Sequence, residues 1–182
     1  MSRIINLFGG PGVGKSTVAS ELYSMMKKND INVELTYEFP KLIAWDNNLS
    51  AIKDQFYITA NQHRNITRLY GKVDYIIVDS PIILGTIYRK KYDNNGDYPS
   101  SFYDDLDIFI LSLFKKYNNI NFYLKRNDTF FSKIGRLQDY DDSKRIDEEI
   151  KTTLLSNNIH FIEFDVDNNI TNNIYKEIMK HA

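Results

Sequence analysis

A glycine-rich segment near the start of the chain constrains the fold more than any other feature. Residues 9–16 read Gly-Gly-Pro-Gly-Val-Gly-Lys-Ser and match the pattern G-x-x-x-x-G-K-[ST]. They follow an apolar run at 4–8 and precede a helix-forming segment, which is the context that a phosphate-binding loop requires. Glycines let the backbone N–H groups of such a loop point inward at phosphate oxygens, and the next helix adds its positive end. The segment therefore predicts that the chain binds ATP or GTP.

Individual roles follow for the residues of this loop. We expect the nucleotide to be bound by eight consecutive residues: Gly10, Pro11, Gly12, Val13, Gly14, Lys15, Ser16 and Thr17. Lys15 is expected to hold the β and γ phosphates, and Ser16 supplies a hydroxyl ligand for Mg2+. A loop of this kind does not name the reaction, so the chemistry has to come from other strand ends.

Apolar runs alternate with amphipathic stretches along the whole chain. The pattern predicts strands at 4–8, 33–37, 75–78, 121–124 and 160–164. It predicts helices at 15–29, 50–70, 81–91, 100–117, 142–157 and 171–180. Parallel strands need crossover connections, so this alternation predicts a three-layer α/β/α fold with a mostly parallel sheet, in one domain over 1–182.

Composition excludes several classes of protein. The chain has 182 residues with 23 Lys plus Arg and 24 Asp plus Glu, and the net charge of -1 argues against nonspecific binding to nucleic acid or anionic membrane. The absence of cysteine excludes disulfide scaffolds, thiolate zinc sites and cysteine nucleophiles. No signal peptide is evident, and no apolar run approaches the roughly 20 residues that cross a bilayer. We therefore expect a cytoplasmic protein without a membrane partner.

Two acidic residues follow predicted strands and are candidates for the site. Asp79 ends the run at 75–78, where a second carboxylate reaches Mg2+ in phosphate-loop enzymes, although it can also cap the next helix. Glu38 follows the run at 33–37, and a carboxylate there can take the proton of an acceptor hydroxyl. The alternative for Glu38 is an exposed acid in a loop.

The predicted helix at 50–70 offers candidates for an acceptor pocket. Gln55 and Gln62 share one face of this helix, and amides read nucleobase edges well. Phe56 or Tyr57 would stack on the base, and Arg64 is a further candidate for substrate binding. A solvated helix with an apolar stripe explains the same pattern.

A charged segment at 127–139 has the composition of a lid. Arg126 precedes it and Arg136 lies within it, and a mobile loop carrying arginines can close on a transferring phosphoryl group while excluding water. An ordinary solvated loop is the alternative.

Taken together, these residues resemble a known family. The segment 8–17, the pairs Tyr37-Glu38 and Lys125-Arg126, and the run 73–81 are similar to those of small P-loop kinases of the nicotinamide riboside kinase-like and thymidylate kinase-like group. Bacteriophage-encoded members with a Gly-Gly-Pro-Gly-x-Gly-Lys-Ser-Thr loop are the most similar, and some phage relatives phosphorylate 5-hydroxymethyluracil within DNA.

The resemblance implies a five-stranded parallel sheet in the order 2-3-1-4-5, ATP with Mg2+, and phosphoryl transfer to a nucleoside-like acceptor. It also leaves open a homodimer and a role in phage DNA modification. The chain departs from the pattern in one place, because thymidylate and deoxynucleoside kinases commonly carry Asp-Arg after the third strand whereas this chain has Asp79-Ser80. The catalytic cation would then come from Arg126, Arg136 or Arg64.

The leading hypothesis is a Mg-ATP-dependent kinase in which Ser16 and Asp79 place the metal and Glu38 activates the acceptor hydroxyl. The acceptor is a nucleoside, a nucleotide or a hydroxymethylated pyrimidine in phage DNA. The alternative is a nucleotide-switched ATPase whose loops control a binding partner.

Overall fold

Five parallel strands form the centre of the protein. The computed structural model describes residues 1–46, 48–92, 98–127 and 140–180. The strands are β1 (Arg3–Phe8), β2 (Val33–Thr36), β3 (Tyr75–Val78), β4 (Asn118–Lys125) and β5 (Ile162–Asp165). They pair in the order β2-β3-β1-β4-β5, and every pair is parallel. The predicted fold and strand order are confirmed.

Helices cover both faces of this sheet. In chain order they are α1 (Lys15–Lys28), α2 (Phe39–Trp45), α3 (Leu49–Lys53), α4 (Gln55–Thr67), α5 (Gly85–Tyr92), α6 (Ser100–Lys115), α7 (Tyr140–Ser156) and α8 (Ile170–Met179). A short 3-10 helix, Ile82–Leu84, precedes α5. No helix in the described ranges is long and apolar enough to cross a membrane.

The central strand β1 shows how the layers form. Its residues are buried on both faces, as expected for a parallel strand covered by helices. Ile5 and Leu7 pack with residues of α1 and α8, while Ile4 and Phe8 pack with residues of α4 to α7. Side chains of a strand alternate between faces, so this one strand belongs to both cores. Its carboxyl end, where the phosphate-binding loop begins, is thereby fixed between two layers.

The region between β2 and β3 differs from the prediction of one helix at 50–70. Two helices meet at Asp54, whose carboxylate accepts the backbone N–H of Tyr57 at 2.9 Å and so caps α4. The preceding helix α2 was not predicted. Pro40 stands in its first turn, where a helix tolerates proline because those N–H groups need no partner within the helix. Strand β2 ends one residue earlier than predicted, at Thr36.

A buried amide network joins β1 to β4. Asn6 Nδ2 donates to Asn119 Oδ1 at 2.9 Å and to Asn121 Oδ1 at 3.0 Å. The amide of Asn121 in turn donates to the carbonyl of His160 at 2.9 Å, and that of Asn119 donates to the carbonyl of Phe114 at 2.7 Å. Buried amides are stable only when their partners are satisfied, so these contacts link β1, β4, α6 and the approach to β5.

We predict that Asn6→Ala lowers the free energy of unfolding by about 2 kcal/mol, because it leaves two amide oxygens without their donor. Urea titration followed by circular dichroism measures the change. The matched control is Asn172→Ala on the exposed face of α8, which we expect to stay within about 0.5 kcal/mol of the parent. Equal stabilities for the two variants would contradict the structural role of the network.

Candidate active site

The phosphate-binding loop leaves β1 and closes over the N-terminus of α1. Gly12 and Gly14 have φ values of 85° and 102°, a left-handed region that favours glycine. Lys15 is the first residue of α1, and its Nζ donates to the carbonyls of Gly9 at 2.7 Å and Gly10 at 3.1 Å. The ammonium group is thus held against the loop that is predicted to bind phosphate.

One cavity of about 360 Å3 opens beside this loop. Its first wall is the loop and the start of α1, with Pro11, Gly12, Gly14, Lys15, Ser16 and Thr17. Its second wall comes from the chain between β2 and the end of α5, with Glu38, Pro40, Lys41, Ala44, Trp45, Ile52, Gln55, Ile58, Gln62, Ser80, Leu84, Gly85, Tyr88 and Tyr92. A cavity of this size accommodates a small molecule, and its two walls bring a phosphate site next to an acceptor site.

Two of the predicted nucleotide-binding residues shape the loop and do not line the cavity. Val13 is 3% exposed and packs in the core between the sheet and α1. Gly10 donates its N–H to the Asp147 carboxylate at 2.5 Å, and neither residue lines the cavity. The remaining six residues of the prediction all line the first wall.

Asp79 and Ser16 have the chemistry of a magnesium site. Asp79 is 6% exposed, and its Oδ1 is buried without a hydrogen-bond partner among the described residues. Ser16 lies in the cavity at the start of α1. A carboxylate and a hydroxyl are the hard oxygen ligands that Mg2+ takes together with substrate phosphates, so the two residues fit the ion. When bound, Mg2+ neutralises charge on the phosphate oxygens.

The predicted acceptor residues divide into two groups. Glu38 directly precedes α2 and lines the cavity, as do Gln55 and Gln62 on the buried face of α4. Arg64 is exposed on another face of α4 and is not among the cavity residues, so its assignment to the acceptor site stays a prediction. The two amides of the prediction therefore line the cavity, whereas the arginine lies on another face of the same helix.

Aromatic residues line the cavity at positions that the sequence prediction missed. Phe56 and Tyr57, the predicted stacking residues, are half exposed and lie outside the cavity. Tyr88 and Tyr92 take that place, with ring centroids 6.2 Å apart and an interplanar angle of 15°. Their i, i+4 spacing at the end of the predicted helix at 81–91, with Tyr92 one residue beyond it, was the available signal.

Tyr88 lines the cavity, and its hydroxyl lies near the Glu38 carboxylate. Burial raises its pKa far above the usual range, and the nearby Glu38 carboxylate raises it further. The hydroxyl therefore stays protonated at neutral pH and remains a hydrogen-bond donor.

A family model described as an AAA domain matches residues 4–169 of the sequence. The chain belongs to this AAA domain family. A search of curated proteins found no match for it.

Solved structures similar to this AAA domain include small kinases and a larger protein. A NadR protein in complex with NR has a TM-score of 0.71 and 14% identity, over 92% of this chain and 46% of that one. This chain thus spans about half the length of that protein. A deoxyadenosine kinase from M. mycoides with dCMP and dCDP has a TM-score of 0.62 and 18% identity, over 98% and 97% of the two chains. A thymidylate kinase from Ehrlichia chaffeensis has a TM-score of 0.60 and 14% identity, over 100% and 99%. At these identities the similarity shows a P-loop kinase fold.

Arg126 contacts the outer side of the phosphate-binding loop of this AAA domain. Its Nε donates to Asp147 Oδ2 at 2.6 Å, and its Nη2 donates to the carbonyl of Pro11 at 2.9 Å. It does not line the cavity that contains Lys15, so its predicted contact with the transferring phosphoryl group stays a prediction. Arg136 and the lid segment after Asn127 lie outside the described residues.

Asp147 on α7 is a site residue that sequence reasoning missed. One carboxylate oxygen accepts the Gly10 N–H and the other accepts the Arg126 guanidinium, so Asp147 joins α7, β4 and the loop. A Cβ at residue 10 would lie 2.6 Å from the carbonyl oxygen of Ser143 and 2.7 Å from Asp147 Oδ1. Only glycine at this position lets α7 approach the loop so closely.

We predict that Asp147→Ala lowers the free energy of unfolding by about 3 kcal/mol, because it leaves a buried guanidinium without its counter-ion. The same variant should weaken ATP binding, since the Gly10 N–H loses the acceptor that orients the loop. Urea unfolding and calorimetric titration with ATP measure the two effects. Glu149→Ala, two residues along on the exposed face of α7, is the control and should match the parent in both. Parent-like stability and affinity in Asp147→Ala would contradict the assignment.

Proposed function

We propose that the protein is a Mg-ATP-dependent kinase that transfers the γ-phosphate of ATP to a hydroxyl group of a nucleoside-type acceptor. The observation that supports this function is the shared cavity, in which the phosphate-binding loop and Glu38 face one space of about 360 Å3. The kinase fold of the AAA domain agrees with it, and solved structures with the same fold contain bound NR, dCMP or dATP.

The proposed reaction uses residues on both walls of the cavity together with Asp79, which directly follows β3 and is not among the cavity residues. Lys15 binds the phosphates, Ser16 and Asp79 hold Mg2+, and Glu38 accepts the proton of the acceptor hydroxyl. The acceptor oxygen forms a bond to the γ-phosphorus while the bond between that phosphorus and the bridging oxygen of ADP breaks. A base contributes about 100-fold to 10,000-fold in such transfers, because it removes positive charge from the attacking oxygen.

Charge on the acceptor wall favours a neutral acceptor over a nucleotide. Among the described residues that line this wall, only Glu38 and Lys41 carry charge. Enzymes that bind phosphorylated substrates place arginines or several lysines around the phosphate, because it carries up to two negative charges. A nucleoside places no phosphate on this wall, so it fits better than a nucleotide does.

A hydroxymethylated pyrimidine in DNA is less well supported as the acceptor. Two of the three cations at 89–91 are paired with acids, since Arg89 binds Asp107 and Lys91 lies 3.4 Å from Asp142. Paired cations release few counter-ions from a DNA backbone, so they contribute little to its binding. The acceptor cavity has the size of a small-molecule site.

The experiment that tests the function is transfer of labelled γ-phosphate from ATP-Mg2+ to a panel of acceptors. The panel contains nucleosides, nucleotides, nicotinamide riboside, and DNA with or without 5-hydroxymethyluracil. Label on a nucleoside or on nicotinamide riboside supports the proposal. Label only on the modified DNA would replace it with a DNA kinase, and release of free phosphate with every acceptor would favour a nucleotide-switched ATPase.

We predict that Glu38→Gln lowers kcat at least about 100-fold with little change in ATP affinity, because the amide cannot accept the proton. Single-turnover transfer and calorimetric titration with ATP measure the two quantities. Glu34→Gln on β2 is the matched control, since Glu34 forms only an exposed ion pair with Lys27, and its kcat should stay within twofold of the parent. Parent-like turnover in Glu38→Gln would remove Glu38 as the base.

A further inference from the structure

The side-chain amide of Gln62 is fixed in one orientation by the end of β3. Its Nε2 lies 3.2 Å from the carbonyl oxygen of Ser80 and 3.2 Å from the Ser80 hydroxyl. A carbonyl oxygen only accepts hydrogen bonds, so the amide NH2 must face it. Gln62 is 7% exposed and cannot turn over without leaving that NH2 group unpaired in the interior. Its Oε1 is the amide atom left for a ligand in the cavity.

The amide of Gln55 is fixed in the same sense. Its Nε2 donates to the carbonyl of Ile52 at 2.8 Å, which again determines which end of the amide is the NH2. Its Oε1 lies 3.9 Å from the place that a Cβ on Gly85 would occupy, and both residues line the cavity. The oxygen is therefore directed to the space between α4 and α5.

On its α4 side, the second wall of the cavity consequently presents two amide oxygens, which accept hydrogen bonds. A glutamine amide that is free on both sides can donate and accept at the same time. Here Gln62 Nε2 donates to the carbonyl and to the hydroxyl of Ser80, and Gln55 Nε2 donates one of its two N–H groups to the carbonyl of Ile52. A ligand group that meets these oxygens must bring N–H donors, since two acceptors placed together repel and each loses its contact with water.

We propose that Gln55 and Gln62 select an acceptor whose base carries an exocyclic NH2 group, either the amino group of adenine or cytosine or the carboxamide of nicotinamide. This inference rests on the proposed function for the place of the acceptor, and it adds the chemical class of the base. Gln62 and Gln55 are specificity-determining residues in this account. Ser80 is a positioning residue that acts through Gln62.

The test measures binding, so that it does not depend on phosphoryl transfer. Calorimetric titration in the presence of ADP-Mg2+ compares two matched pairs, adenosine with purine riboside and cytidine with the 4-deamino analogue of cytidine. Each pair differs only in the NH2 group. We expect the amino member to bind roughly 10-fold to 100-fold more tightly, because its partner leaves a buried amide oxygen without a donor. Nicotinamide riboside should bind more tightly than nicotinic acid riboside for the same reason.

Variants identify the residues responsible. Gln62→Met keeps the length of the side chain and removes the acceptor oxygen, so affinity for the amino member should fall while affinity for its deamino partner changes by less than about threefold. Gln55→Met gives a second, independent variant if Gln62→Met fails to fold. Asn61→Ala, on the exposed side of α4 where Asn61 bonds only to the carbonyl of Tyr57, is the control and should retain the full preference.

The outcomes separate this inference from the proposed function. Three results would overturn the inference, whatever the transfer assay shows. They are equal affinities within each pair, tighter binding of the deamino members, and no binding of any of these ligands. A preference for NH2 that disappears in Gln62→Met or Gln55→Met would support it, even if no phosphate is transferred. Transfer to nucleosides without any such preference would support the proposed kinase function and contradict the proposed selection for an NH2 group.

Discussion

The shape of the phosphate-binding loop depends on one buried carboxylate. Asp147 accepts hydrogen bonds from Gly10, 137 residues away in the chain, and from Arg126, 21 residues away. Strand β4 lies next to β1 in the sheet, and this order places Arg126 beside the loop. A buried ion pair contributes little net stability when it is intact, but removing one partner is costly, so the positions of α7, the end of β4 and the loop depend on one another. One side of the loop is therefore packed against Asp147 and Arg126, and the other side lines the cavity.

The sequence predicted the acidic residues at the strand ends but not Asp147, because only the former follow a local pattern. Asp79 and Glu38 were identifiable because each follows an apolar run, and the carboxyl ends of parallel strands meet at one edge of a sheet. Asp147 stands in an acidic stretch, Asp147-Glu148-Glu149, in which two of three residues are exposed. A helical pattern identifies the face on which Asp147 lies but not its partners, which are Gly10 in the loop after β1 and Arg126 just after β4. Contacts of such long range are set by the strand order, which the resemblance implied and local propensity does not.

The chain between β2 and β3 gives a second example. The sequence at 50–70 has one continuous amphipathic pattern, and the prediction treated it as a single helix. In the structure α3 ends at Lys53, and Asp54 caps the start of α4. Such a cap contributes only about 1 kcal/mol, so the sequence pattern does not show whether the helix continues or breaks there. The break turns α4 so that Gln55 and Gln62 face the cavity and Arg64 faces solvent. Gln55 and Gln62 still share one face of α4, because they are seven residues apart and two helical turns return a side chain to the same face.

The pair Asp79-Ser80 has consequences for charge as well as for specificity. Related kinases commonly place an arginine after this aspartate, whereas here the position holds a neutral hydroxyl that accepts a hydrogen bond from Gln62. Phosphoryl transfer develops negative charge that needs compensation. Within the described ranges, the cavity offers Lys15 and the N-terminus of α1 on the nucleotide side, and Lys41 at the exposed edge of the acceptor side. With a serine in place of a cation, the second wall of the cavity carries neutral groups that accept hydrogen bonds. Most of the positive charge at the cavity then lies on the side of the phosphate-binding loop.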